Sequence, residues 1–268
     1  MNFNKRILIK SAAALALAPL FAVSSAWAQN ASITVGVTAG PHGQIFEEVK
    51  KEAIKQGLDI KVVEFSDYVQ PNAALAAGDL DANSYQHQPY LDTANADRGY
   101  GLVSIAKTVI FPIGIYSQKV KSLDEVGEGG RIAVPNDPTN GGRALLLLES
   151  LGLIKLDPKA GLRATPIDIV ENPRKLRFVE LDAAQLPRSL GDVDAAAINT
   201  NFALEAGLDP NKDAIARESA ESPYANVIVV REQDKDRPEF KTLIEAYQSA
   251  PIKAFIEEQY KGSVVPAW

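Results

Sequence analysis

Residues 65–92, FSDYVQPNAALAAGDLDANSYQHQPYLD, hold the side chains of this chain best suited to gripping a small molecule. Phe65, Tyr68, Tyr85 and Tyr90 are gathered there with His87, one of only two histidines, and with several amides around a GDLDAN turn. A tyrosine in a cleft offers an apolar face and a polar tip, which suits a ligand with an apolar side chain and a zwitterionic head. His87 adds a donor or acceptor at the same place. A second turn of the same kind, GDVDAA at 191–196, runs straight into INTNFA. The doubling predicts two similar lobes, each presenting polar and aromatic groups to one ligand.

The segment PNDPTNGGR at 135–143 follows an expected strand and opens an expected helix. Free backbone N–H groups at that helix start would face the same way as Asn140 and Arg143, and a helix N-terminus with one guanidinium is a receptor for a single carboxylate. Phosphate fits less well, because the segment has one arginine and no lysine. The blander reading is a capping loop with a surface arginine. Asn199 and Asn226 add amides that can accept from an ammonium and donate to a carboxylate. Asp81 and Asp194 stand at matching places in the two G-D-x-D-A turns, where capping of backbone amides accounts for them.

Catalysis has little to work with. His42 and His87 are the only histidines, cysteine is absent, no G-x-S-x-G elbow occurs, and no cluster has metal-ligand spacing. The expectation is a binding protein with no catalytic residue, metal or cofactor. Rival classes are an exported enzyme on the same scaffold and an adhesion or interaction protein.

The elements that would position these groups alternate. Ile33 to Val37 is a β-branched run, and Ile45, Phe46, Val49, Ala53 and Ile54 then recur at helical spacing, predicting a helix from about residue 44 to Gly57. Strand 58–65, helix 71–77, strand 82–85, helix 89–98 and strand 102–108 follow. The order β-α-β-α implies a mostly parallel sheet flanked by helices. The run VIFPIGIYS at 109–117 reads as one crossover strand into a second lobe. There, strand 131–134, helix 143–151, strand 176–181, helix 186–190 and strand 195–198 repeat the scheme. YANVIVVR at 224–231 reads as the return, and helices at 238–249 and 251–260 close the chain. Lobe 1 is expected over 29–112 plus 228–268, and lobe 2 over 113–227. No Pro/Gly/Ser-rich linker separates them.

The first 28 residues spell an export signal: Lys5, Arg6 and Lys10, an apolar run over 11–23, and the small-x-small site Ala26-Trp27-Ala28. The mature chain is expected to begin at Gln29 as a soluble periplasmic protein. Taking those three cations from the 28 basic residues leaves 25 against 34 acidic ones, a net of −9, which argues against nucleic acid as partner. Without cysteine there is no disulfide, no cysteine nucleophile and no lipobox.

SDYVQPN, GDLDANSYQHQPYLD, VPNDPTNGGRALLLL, VENP, LPRSL, AAINT and ESPYANVI, in this order along the chain, resemble the NlpA lipoprotein family, the substrate-binding proteins of bacterial methionine ABC importers. The resemblance implies a two-lobed periplasmic-binding-protein fold (type II-like) that closes on methionine and docks on a membrane permease. It places ligand contacts on Phe65, Tyr68, His87 and Tyr90, the ligand carboxylate on Arg143 with Asn140 beside it, and the amino-acid head on Asn199 and Asn226. Most members carry a lipobox cysteine, and Phe is frequent where Tyr85 stands here. Another apolar or thioether ligand, such as D-methionine or a methionine-containing dipeptide, remains an alternative.

Overall fold

The computed structural model describes residues 31–268; the export signal expected at 1–28 lies outside them. In the first sheet β1 (Ala31–Thr38) pairs in parallel with β2 (Leu58–Phe65) and β3 (Ala82–Asn83), connected through α1 (Pro41–Ile54) and α2 (Gln70–Ala77). α3 (Gln88–Arg98) then leads to β4 (Leu102–Ile110). The chain crosses to a second sheet through β5 (Gly114–Tyr116) and continues with β6 (Arg131–Pro135) and α4 (Pro138–Ser150). β7 (Lys155–Leu156) and β8 (Ile169–Glu171) form a separate two-stranded ribbon. β9 (Arg177–Leu181), β10 (Ala195–Ile198), α5 (Thr200–Glu205) and β11 (Ala214–Arg217) complete the second lobe. β12 (Ala225–Arg231) returns to the first sheet, followed by α6 (Pro238–Tyr247), α7 (Ala250–Tyr260) and the edge strand β13 (Val265–Pro266).

The strand orders are β13-β4-β12-β3-β1-β2 and β11-β5-β10-β6-β9. The expected mostly parallel sheets are mixed: β1 with β2 and β3, and β6 with β9 and β10, are parallel, whereas the crossover strands β4, β5 and β12 pair antiparallel with their neighbours, as does β13 with β4. Both faces of the central strands are covered, which is why β10 and most of β12 read as continuous apolar runs, while the edge strands β2 and β9 carry exposed polar residues. Along β12, Ile228 and Val230 join the core under α1, α6 and α7, while Val227 and Val229 join a cluster with Leu75 of α2 and Leu91 of α3. Along β6, Ile132 and Val134 face α4, and Ala133 faces Leu186 and Leu190. The strand period of two thus feeds a core on either side.

Three expectations change. α1 begins at Pro41, because proline with its preset φ fits a first helical turn. The run 109–117 is not one strand: it breaks at Phe111-Pro112-Ile113 into β4 and β5, each in a different sheet. α4 starts at Pro138, so Asn140 and Arg143 stand inside its first turns. The return strand expected at 224–231 is β12, paired with β4 from Ala225 onward.

The two aspartates of the paired turns bond across strands rather than within their turns. Asp81 Oδ2 accepts from the Thr34 N–H at 2.8 Å, and the Asp81 N–H donates back to the Thr34 carbonyl at 2.8 Å. Asp194 repeats this with Arg131, at 2.7 and 2.8 Å. Each aspartate therefore sets the register of a strand that delivers site residues at its far end.

Candidate functional site

In open α/β sheets ligands bind beyond the carboxyl ends of the parallel strands, and both sheets here point those ends at one gap. From the first come His42 near the start of α1, Tyr68 after β2, Tyr85, Gln86 and His87 after β3, and Asn226 in β12. From the second come Asn140 and Arg143 after β6, and Asn199 and Asn201 after β10, with Phe111 of the crossover between. They line a cavity with about 330 Å³ of space between atoms, its opening included.

Eight of the nine residues singled out in the sequence meet there. Phe65 is not among the lining residues. It packs instead with the cluster of Leu75 and Leu80, because Gly36 in β1 leaves a slot: a Cβ at Gly36 would stand 2.5 Å from Leu80 Cδ1 and 3.1 Å from Phe65 Cε2. Four lining residues were not singled out: His42, Gln86, Phe111 and Asn201. Asn201 carries a signal in hindsight, since it stands two residues after Asn199 where a strand runs into a helix start.

The polar arrangement is built outward from Asp137. Its carboxylate caps α4 by accepting from the Asn140 N–H at 2.9 Å, and both its oxygens accept from Asn140 Nδ2 at 3.0 Å. That fixes the Asn140 amide with Oδ1 facing the cavity, where Asn199 Nδ2 donates to it at 2.8 Å and His87 Nε2 lies 3.2 Å away. His87 Nδ1 accepts from the Tyr90 N–H at 3.1 Å, capping α3. With one ring nitrogen accepting, the other must be the donor, so His87 is the neutral Nε2–H tautomer. Burial, reinforced by the nearby Arg143 charge, pushes its pKa down to about 3. Burial also pushes the Asp137 carboxyl above its ordinary value, against the pull of its Asn140 and Thr139 donors.

The tyrosines give a wall rather than polar tips. The Tyr85 and Tyr90 hydroxyls both donate to the Tyr68 carbonyl at 2.9 Å, and the three ring centroids lie 6.0 to 6.2 Å apart. The Tyr68 hydroxyl donates to Asn201 Oδ1 in the second lobe at 2.6 Å, and its ring packs 4.9 Å from that of Phe202. Burial pushes the Tyr68, Tyr85 and Tyr90 hydroxyls well above the ordinary tyrosine value, which keeps them protonated donors. What faces a ligand from this side is aromatic surface.

Arg143 is not the surface arginine of the blander reading. Its side chain is 3% exposed and ion-paired with Glu218. Nε lies 3.2 Å from each Glu218 oxygen, and Nη2 donates both to Glu218 and, at 2.8 Å, to the Phe111 carbonyl. The guanidinium also stacks 4.3 Å over the Tyr224 ring. The two-donor fork expected for the ligand is therefore spent on Glu218. Nη1 donates to no protein acceptor among the described residues.

Two amide atoms complete the picture. Asn199 Oδ1 and Asn201 Nδ2 are buried without a partner among the described residues. An orphaned acceptor, an orphaned amide donor and the Nη1 edge of a guanidinium, set against an aromatic wall, match one ammonium, one carboxylate and one apolar side chain. No group of three or more metal-ligating side chains occurs among the described residues.

His42 shares the fate of His87: burial lowers its pKa to about 3, and its ring lies 4.7 Å from that of Phe111. Both folded values lie below the unfolded value of 6.5, so the unfolded chain gains protons first as pH falls. The stability each histidine confers is complete above pH 6.5 and declines on acidification toward pH 3. Between about pH 6.5 and 5.5 unfolding free energy should drop by roughly 1 kcal/mol per histidine. Urea unfolding at several pH values checks this, and His42→Gln should remove its share of the slope.

Comparison with known proteins places the chain. A family model described as NlpA lipoprotein matches residues 33–268. The D-methionine-binding lipoprotein MetQ of Salmonella typhimurium is 52% identical over 239 residues, 88% of each chain. A nutrient binding protein from Burkholderia cenocepacia, solved bound to methionine, is 59% identical with a TM-score of 0.87, covering 88% of this chain and all of that one. An ABC transporter periplasmic substrate-binding protein from Coxiella burnetii is 50% identical with a TM-score of 0.85, over 88% of this chain and all of its own. With its two-sheet α/β architecture and this extent of likeness, the chain belongs to the NlpA lipoprotein family.

Proposed function

We propose that this protein is an exported solute-binding protein that captures methionine between its two lobes, 29–112 with 228–268 and 113–227, and delivers it to the membrane permease of an ABC importer. The observation that carries the reading is the pairing of a polar-saturated aromatic wall with two buried amide atoms, Asn199 Oδ1 and Asn201 Nδ2, and with Arg143 Nη1, none of which has a protein partner among the described residues. In this arrangement the ligand carboxylate meets Nη1 and Asn201 Nδ2, the ammonium meets Asn199 Oδ1, and the thioether lies against Tyr68, Tyr85 and Tyr90. Asn140 holds Asn199 and is itself bonded by His87, and Asn226 faces the same cavity. The likeness to proteins named for methionine and D-methionine supports it. D-Methionine is the second reading, favoured by that last name.

Methionine should protect the folded protein against heat while aspartate, lysine and phosphate do not. Mass action gives about 2.7 kcal/mol of stabilisation at ~100 times the dissociation constant. Thermal melts with both methionine enantiomers check it and rank the two. Equal shifts with every amino acid would remove the claim of selectivity.

The chain holds no cysteine for acylation, whereas relatives are named lipoproteins. N-terminal sequencing of the periplasmic fraction should return an unlipidated chain beginning at Gln29. Firm partition with membranes in cells lacking the permease would contradict it.

A further inference from the structure

Glu218 is not among the cavity-lining residues, yet its position fixes the charge a ligand meets. It follows β11, where its N–H donates to the Ile113 carbonyl at 2.9 Å and its carboxylate receives the Ile113 N–H at 3.4 Å. Its side chain is 14% exposed and engages the Nε and Nη2 side of Arg143. His42 and His87, the other titratable nitrogens at the cavity, are neutral at physiological pH because burial lowers both. A second carboxylate, Asp137, lies behind Asn140 on the same side.

We propose that Glu218 is a specificity-determining, positioning residue: by pairing with Arg143 it removes the net positive charge from the cavity, so that a ligand carboxylate is accepted only when an ammonium comes with it. This rests on the reading of the cavity as an amino-acid site. A buried guanidinium without a counter-ion would favour a net anion, since charges in a desolvated site interact strongly. With Glu218 on its Nε side, Arg143 offers the ligand a directional donor at Nη1 without a surplus charge. The class selected is the net-neutral zwitterion, and the class rejected is the same side chain on an acid lacking the ammonium.

The test compares L-methionine with its hydroxy-acid analogue, in which a hydroxyl replaces the ammonium, by calorimetry on the wild type, Glu218→Gln and Glu218→Asp. The wild type should prefer methionine by at least about a hundredfold. Glu218→Gln should narrow that ratio at least about tenfold, while Glu218→Asp, which keeps the charge, should stay close to the wild-type ratio. A purely structural role for Glu218 would weaken both ligands together, and an unchanged ratio in Glu218→Gln overturns the proposal. Should that variant fail to fold by circular dichroism, the wild-type ratio decides, and a value below about ten overturns it. A wild type that binds neither ligand overturns the amino-acid reading itself.

Discussion

Arg143→Ala should abolish measurable methionine binding and also lower the stability of the ligand-free protein. The first effect follows from losing the Nη1 donor and the only guanidinium at the cavity. The second follows from what is left behind: a Glu218 carboxylate with little solvent, a Phe111 carbonyl without its donor and a Tyr224 ring without its cation. Removing one member of a buried pair costs roughly 3–5 kcal/mol, and the loss should appear in urea unfolding without ligand. Arg143→Lys should recover only part of either quantity, because an ammonium cannot span Glu218 and still present a donor to the ligand. Replacing both partners, as in Arg143→Met with Glu218→Gln, should restore much of the stability and none of the binding. A stable Arg143→Ala that still binds methionine would mean that the carboxylate lies elsewhere.

Asn140→Leu should be nearly as damaging, although no charge is removed. Asn140 Oδ1 serves both His87 and Asn199, and its Nδ2 serves Asp137. Leucine has a similar size and satisfies none of them, leaving an imidazole donor, an amide donor and a buried carboxylate short of partners. At about 1–3 kcal/mol for a stranded buried polar group, affinity should fall by a hundredfold or more and stability by about 2–4 kcal/mol. Nitrogen NMR of His87 provides a separate readout: the Tyr90 N–H keeps the Nε2–H tautomer in both proteins, and the Nε2 resonance should move in the variant, where its Asn140 acceptor is gone. A wild-type affinity in Asn140→Leu would refute the chain of bonds from Asp137 to His87.

Much of this architecture was legible because it is periodic or local. The alternation along β12 and β6 and the helical spacing in α1 arise from the backbone period, which the order of residues displays directly. Most of the site was legible for a related reason: Tyr85 to Tyr90, Asn140 and Arg143, and Asn199 all stand just beyond a strand, where parallel sheets present their ligand groups. What escaped depends on partners distant in sequence. Phe65 sits at a strand end like the others, and the missing side chain of Gly36 in the neighbouring strand leaves room for it to pack, partly buried, against the Leu75 and Leu80 cluster. Glu218 is 75 residues from Arg143, in a stretch whose charges look like an ordinary solvated loop. The break at Phe111-Pro112-Ile113 was signalled by its proline, yet proline alone does not say that the two halves of a run belong to different sheets.

Arg143 and Glu218 both belong to the second lobe, so their bond crosses no moving boundary. In contrast, Tyr68 to Asn201 and His87 to Asn140 span the gap. The heavy desolvation of a cation and an anion is therefore incurred once, when the chain folds, and not at every cycle of capture and release. The polar bonds inside the gap join neutral groups, and the ion pair that also spans it, Arg163 to Asp97 at 3.5 Å, is exposed, so parting the lobes would strip no buried charge of its partner.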